Sequence, residues 1–158
     1  MNSDAFGTVS SQTNSWIDMY VDCMLQNKPA VLCPEFTKQW ESRQTWVTLE
    51  KRPTLLQLVE KYGFLTIPVV NEDDDSKYEE MKLSEFARYF ENDDRNSLLY
   101  AKDWHFQRDS GSSPYKLPVF LQSDWFNNEN KSFMGDYRFV YIGVKITWTR
   151  FHCDVMNS

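Results

Sequence analysis

The last quarter of the chain limits the possible folds most. Tyr137-Arg138-Phe139-Val140-Tyr141-Ile142 alternates and is rich in aromatic and β-branched residues, Gly143 breaks the pattern, and Ile146 to Val155 alternates again. A period of two sends successive side chains to opposite faces of a pleated strand, so this region is predicted to be sheet. The upstream chain supplies helices to cover it. Ser15 precedes Trp16, Ile17, Met19, Tyr20, Cys23 and Met24, whose spacing predicts a helix capped by Ser15 and packed on a sheet. Thr54 and Gln57 stand at capping-box spacing ahead of an apolar face formed by Leu55, Leu56, Leu58, Val59 and Tyr62, and Gly63 marks the expected helix end. Leu83, Phe86, Ala87 and Phe90 mark another amphipathic helix.

Shorter extended segments lie between these helices. Pro29 and Pro34 bracket an apolar run that reads as a strand, and Phe36 to Trp46 reads as a short helix. Phe64 to Val70 reads as a strand that Pro68 turns into an edge or a bulge. Leu98 to Trp104 and Leu117 to Leu121 read as further strands, with Asp124 capping a short helix that contains Trp125 and Phe126. Glu72-Asp73-Asp74-Asp75 lacks the glycine-bearing pattern of a calcium loop and reads as a solvated connection. Strands and helices alternate with no internal repeat and no low-complexity linker. The expected class is therefore α+β across residues 15–158, after a disordered polar tail at 1–14.

Composition narrows the function classes. With 158 residues, 16% of them aromatic, the chain has enough large side chains for a sizeable core. The formal net charge of −6 and the lack of a basic run argue against direct nucleic-acid binding. Cys23, Cys33 and Cys153 are widely spaced, without a CxxC pair or zinc-finger histidine spacing, and read as reduced thiols. There is no secretory-signal pattern at the N-terminus and no membrane-length apolar run, so a cytosolic or nuclear compartment is expected, without a membrane partner.

The most informative short pattern is Thr149-Arg150-Phe151-His152-Cys153-Asp154. On a strand, His152 and Asp154 would present an imidazole and a carboxylate on the same face, two of the three ligands of a 2-His-1-carboxylate iron site. By pattern alone, a structural histidine–carboxylate pair is the simpler account. The other histidine, His105, has no ligand spacing and reads as a polar residue at a strand end.

Resemblance along the chain adds weight to the metal reading. Asn27-Lys28-Pro29-Ala30-Val31 and Phe36-Thr37-Lys38-Gln39-Trp40 resemble the opening of jumonji-domain (JmjC) Fe(II)- and 2-oxoglutarate-dependent hydroxylases. Leu99 to His105, Leu117-Pro118-Val119-Phe120 with Ser123-Asp124-Trp125, Asp136 to Gly143 and Trp148 to Asp154 continue that resemblance in order. It implies a helical N-terminal flank and the first strands of a double-stranded β-helix (cupin/jumonji) barrel, truncated. His152 and Asp154 match the first two iron ligands, while Thr149 and Tyr100 match positions that bind the 2-oxoglutarate carboxylate. The implied cofactor is Fe(II), with 2-oxoglutarate and oxygen as co-substrates, and the implied substrate is a lysine of the eukaryotic translation termination factor.

This chain departs from the family pattern in two places. Arg150 follows the threonine where many relatives have proline or glycine, and the approach to the motif carries only Gly143. The sequence also stops four residues after Asp154, before the family's distal histidine and 2-oxoglutarate-binding lysine. An inactive fragment of a protein-lysine hydroxylase is therefore the expectation. Two alternatives stand beside it: a non-catalytic protein-interaction module, and a histone or other protein demethylase of the same superfamily.

Overall fold

A computed structural model describes residues 7–9, 16–72, 77–92, 96–118, 121–124, 127 and 136–152, which fall into two compact units. The first comprises residues 1–54 and 113–129, the second residues 55–112 and 130–158. Among the described residues, no helix is long and apolar enough to cross a membrane.

In the first unit, α1 (Trp16–Met19) runs on into a π-helical turn, Tyr20–Met24, closed by the Leu25 N–H on the Tyr20 carbonyl at 2.8 Å. The expectation that this helix packs its apolar face on a sheet is not met. Cys23 is buried, whereas Ile17, Val21, Met24 and Leu25 are exposed. Within the stretch expected to be a disordered tail, β1 (Gly7–Val9) instead pairs in parallel with β2 (Ala30–Leu32), the strand expected between Pro29 and Pro34. The helix expected over Phe36 to Trp46 is divided into a 3₁₀ turn, Pro34–Thr37, and α2 (Glu41–Thr45), because Trp40 between them is extended, with ψ 131°. The Trp40 indole N–H donates to the Lys116 carbonyl at 2.9 Å, and its ring lies 5.4 Å from that of Tyr115. The strand expected over Leu117 to Leu121 is absent from its described residues, and Leu121 instead closes a turn on the Pro118 carbonyl. Asp124 accepts the Asn127 backbone N–H at 3.1 Å, while Trp125 and Phe126 of the helix expected there lie outside the described residues.

The second unit is an antiparallel sheet with strand order β4-β3-β5-β6, formed by β3 (Thr66–Asn71), β4 (Tyr78–Lys82), β5 (Leu99–Trp104) and β6 (Val140–Gly143). Its helices are α3 (Leu56–Tyr62), α4 (Leu83–Glu91) and α5 (Phe106–Ser110). The Thr54 capping box does not form. Leu55 takes the N-cap place, and the Thr54 N–H is used by the Trp46 carbonyl. At α4, the Glu85 carboxylate accepts the Lys82 backbone N–H, satisfying one of the donors a helix start leaves open. Gly111, at φ +66°, closes α5 in the left-handed conformation that glycine adopts without steric cost.

One face of this sheet carries Ile67, Val69, Ala101 and Trp104, all buried, as are Leu58 of α3 and Leu83 and Phe86 of α4. Phe106 joins them, with its ring edge-on to Trp104 at 5.1 Å and to Tyr62 at 5.3 Å. Pro68 was expected to make β3 an edge or a bulge, yet β3 lies between two strands. Its ladder to β5 begins only at Val69, so at Pro68 its sole neighbour is β4, and the missing N–H is tolerated there. β4 is one of the two edge strands, and its Glu79, Glu80 and Lys82 discourage further pairing.

Phe86 is fully buried. Phe86→Ala is expected to destabilise the chain by about 3–5 kcal/mol in urea denaturation, through lost transfer energy and the cavity left behind. A cost below about 1 kcal/mol would show that α4 does not seal this core.

Candidate functional site

The sheet face opposite the helices carries hydroxyl and carboxylate groups. Cross-strand partners share a face, so Tyr78, Val70, Tyr100 and Gly143 form one row across β4, β3, β5 and β6. A register shift in β5 between Ala101 and Trp104 inserts one residue, and within it Asp103 adopts φ +58°. A bulge of this kind re-aims side chains, and aspartate tolerates the left-handed region better than most residues. The Asp103 carboxylate accepts the Tyr78 phenol at 3.1 Å on one oxygen and the Tyr141 phenol at 2.5 Å on the other.

Both phenols titrate above the ordinary tyrosine range. For Tyr141 the shift is large, caused first by burial and then by the hydrogen bond and negative charge of Asp103. For Tyr78 it follows from burial and the Asp103 charge. Each must keep its proton in order to donate to the carboxylate.

Tyr100 and Thr149, distant in sequence, meet beside this cluster. The Tyr100 hydroxyl lies 3.1 Å from Thr149 Oγ1, and its ring centroid is 6.1 Å from that of Tyr141. Tyr100 is buried in β5, whereas Thr149 lies on an exposed segment. His152 is also exposed, and its Nδ1 lies 2.7 Å from the Arg150 carbonyl. A carbonyl can only accept, so Nδ1 donates, and the neutral ring then carries its lone pair on Nε2.

Asp154 and Cys153 lie outside the described residues. The strand expected over Ile146 to Val155 is not formed in residues 146–152, for which the described chain offers no strand partner. A turn comes first, with both the N–H and Oγ1 of Thr147 on the Val144 carbonyl. Among the described residues, no three His, Cys, Asp or Glu side chains gather as a metal-ligand group. His105 takes the structural role expected of it, with Nδ1 2.7 Å from Asp136 and its ring edge-on to Phe139.

Curated relatives place the chain in a family. The chain is 36% identical over 159 aligned positions to the 2-oxoglutarate and iron-dependent oxygenase JMJD4 of Mus musculus, covering 91% of this chain and 37% of that protein. Against the JMJD4 protein of Danio rerio, identity is 35% over 147 positions, covering 85% of this chain and 35% of the relative. The chain belongs to the JmjC family. It is JMJD4-like over most of its length and spans little more than a third of these relatives. It is also 30% identical over 173 positions to the arginine-specific demethylase JMJ20 of Arabidopsis thaliana, covering 95% of this chain and 37% of that protein. No protein-family model matches the chain.

Within this JmjC chain, sequence reasoning singled out Tyr100 and Thr149, and the structure joins them. It missed Asp103, Tyr78 and Tyr141. The alternation over 137–142 places Tyr141 and Gly143 on one face, but no residue pattern announces the bulge that turns Asp103 toward them.

Above pH 10.0, the ordinary phenol value, tyrosines of the unfolded chain ionise while folded Tyr78 and Tyr141 keep their protons. The unfolded state then binds fewer protons, so stability falls as pH rises through that window. The double variant Tyr78→Phe/Tyr141→Phe is expected to show a shallower fall in denaturation midpoint between about pH 10 and 11. Equal slopes would mean that Asp103 does not hold these phenols in solution.

Proposed function

We infer that the chain carries the co-substrate-binding strands and the first iron ligands of an Fe(II)- and 2-oxoglutarate-dependent protein hydroxylase. The observation that carries this reading is the hydrogen-bonded pair of Tyr100 and Thr149, three residues ahead of His152, in a JMJD4-like chain. Two adjacent hydroxyls can each donate to one carboxylate, a fit to the distal carboxylate of 2-oxoglutarate. The tautomer of His152 also fits iron. Its Nδ1–H is anchored on a backbone carbonyl, the usual outer support of a ligating imidazole, which orients Nε2 as the donor atom. Asp154 is the proposed second ligand.

In this reading the four-stranded sheet is the opening part of a double-stranded β-helix. Tyr100, fixed by its strand partners, orients the co-substrate carboxylate, and Thr149 contributes the second donor. Bound iron would supply oxygen activation, coupled to decarboxylation of 2-oxoglutarate to succinate and carbon dioxide. One oxygen atom goes to succinate and the other to the substrate C–H bond. The proposed substrate is a lysine of the translation termination factor in the cytoplasm, giving hydroxylysine. The full activity is assigned to a protein of the relatives' length.

A second reading, demethylation, is favoured by the similarity to the arginine-specific demethylase JMJ20. The same machinery would then hydroxylate an N-methyl carbon, which is lost as formaldehyde. Product analysis by mass spectrometry separates the two, since one peptide gains an oxygen and the other loses a methyl group.

Thr149→Val and Tyr100→Phe are each expected to weaken 2-oxoglutarate binding about tenfold in calorimetric titration, the cost of one hydrogen bond to a charged group. In a protein of the relatives' length, His152→Ala is expected to abolish succinate formation with Fe(II), ascorbate and oxygen. Unchanged affinity in both hydroxyl variants would sink the co-substrate assignment.

A further inference from the structure

We propose that Gly143 and Thr147 are positioning residues for the Tyr100–Thr149 pair, Gly143 acting through the side chain it lacks. This deepens the reading above and rests on it only for the pair's ligand.

Gly143 is the cross-strand partner of Tyr100, the point where β6 ends and the chain turns toward Thr149. A Cβ placed on Gly143 would sit 1.9 Å from Thr147 Oγ1, 2.8 Å from Thr147 Cβ and 2.9 Å from Tyr100 Cδ2. Contacts this short do not occur between real side chains, so the volume a methyl group would need is already filled from both sides. The Tyr100 ring fills it from β5 and Thr147 from the turn. Glycine within a strand often marks such a close approach.

Thr147 keeps its place through two bonds to the Val144 carbonyl, at 3.0 Å from its N–H and 2.9 Å from Oγ1. The folded-back turn sets the direction in which residues 148 and 149 leave the sheet. Two residues later, Thr149 Oγ1 comes within 3.1 Å of the Tyr100 hydroxyl. A methyl on Gly143 must therefore displace either the Tyr100 ring or the turn, and each displacement separates the two hydroxyls. The chemistry of both hydroxyls would survive such a change while their convergence would not.

The test is nuclear Overhauser contact between the Tyr100 ring protons and the Thr149 methyl group, with 2-oxoglutarate affinity measured on the same samples. The wild-type chain is expected to show the contact. Gly143→Ala is expected to lose it while keeping Val69–Ala101 cross-strand contacts, and to bind 2-oxoglutarate about tenfold more weakly. Thr147→Val keeps the bulk of the side chain but loses its Oγ1 bond to the Val144 carbonyl, and is expected to weaken the contact and to lower 2-oxoglutarate affinity about fivefold. Should Gly143→Ala fail to fold, Thr147→Val decides, a weakened contact supporting the proposal and an unchanged contact overturning it. A contact that survives in a folded Gly143→Ala, or that wild type lacks, also overturns the proposal. Thr149→Val separates the two claims. If it leaves affinity unmoved while the contact follows Gly143 and Thr147, the co-substrate reading fails and the positioning stands. If it weakens binding while the contact survives Gly143→Ala, the positioning alone fails.

Discussion

The register shift in β5 is the constraint on which the second unit depends. In a regular strand Ala101 and Trp104, three apart, would face opposite ways. The extra residue between them puts both on the helix-covered face, where Trp104 is fully buried against Phe106. The same insertion leaves Tyr100 and Asp103 together on the other face. One six-residue strand thus anchors an aromatic core and presents polar chemistry behind it. The left-handed backbone at Asp103 is the local cost, offset by two phenols that satisfy its carboxylate.

That arrangement requires the middle of the sheet to be buried on both faces. Val69 and Val70, adjacent in β3 and therefore pointing opposite ways, are both almost inaccessible. Val69 belongs to the helix-covered core, while Val70 stands between Tyr78 and Tyr100 in the polar row. The phenols on that face accordingly rest on an apolar floor. The raised proton affinities of Tyr78 and Tyr141 follow from that burial together with the Asp103 charge.

The parts of the fold legible in the sequence were those set by local periodicity. The apolar faces of α3 and α4 and the strand character of β2, β3, β5 and β6 could be read from residue spacing. What escaped depended on partners distant in the chain. Thr54 has the right spacing for a capping box, yet its N–H is taken by Trp46. Residues 146–152 alternate as a strand should, but alternation records only which side chains could share a face, and pairing needs a neighbour. Ile146, Trp148 and Phe151 are consequently exposed. At the candidate site, Tyr100 and Thr149 were reached through family resemblance, whereas Asp103, Tyr78 and Tyr141 are brought together only by the bulge.

The two halves of the hydroxyl pair are held very differently, and this bears on how a ligand would act there. Tyr100 sits in a strand paired on both sides, so its ring has little freedom. Thr149 follows a single turn and reaches the sheet through one side-chain bond, 49 positions from its partner in sequence. The β5–β6 ladder already brings Gly143 to Tyr100, so the bond has only the short segment beyond Gly143 to order, a cost that one neutral hydrogen bond, at about 1 kcal/mol, does not offset alone. The close packing of Thr147 and Tyr100 over Gly143 supplies contact that the bond lacks. A carboxylate accepting from both hydroxyls would add charge-assisted bonds at the same point, so its binding energy would be spent partly on ordering the segment that carries His152. Co-substrate binding and the placing of the metal ligand would then be energetically coupled through the two residues that separate Thr149 from His152.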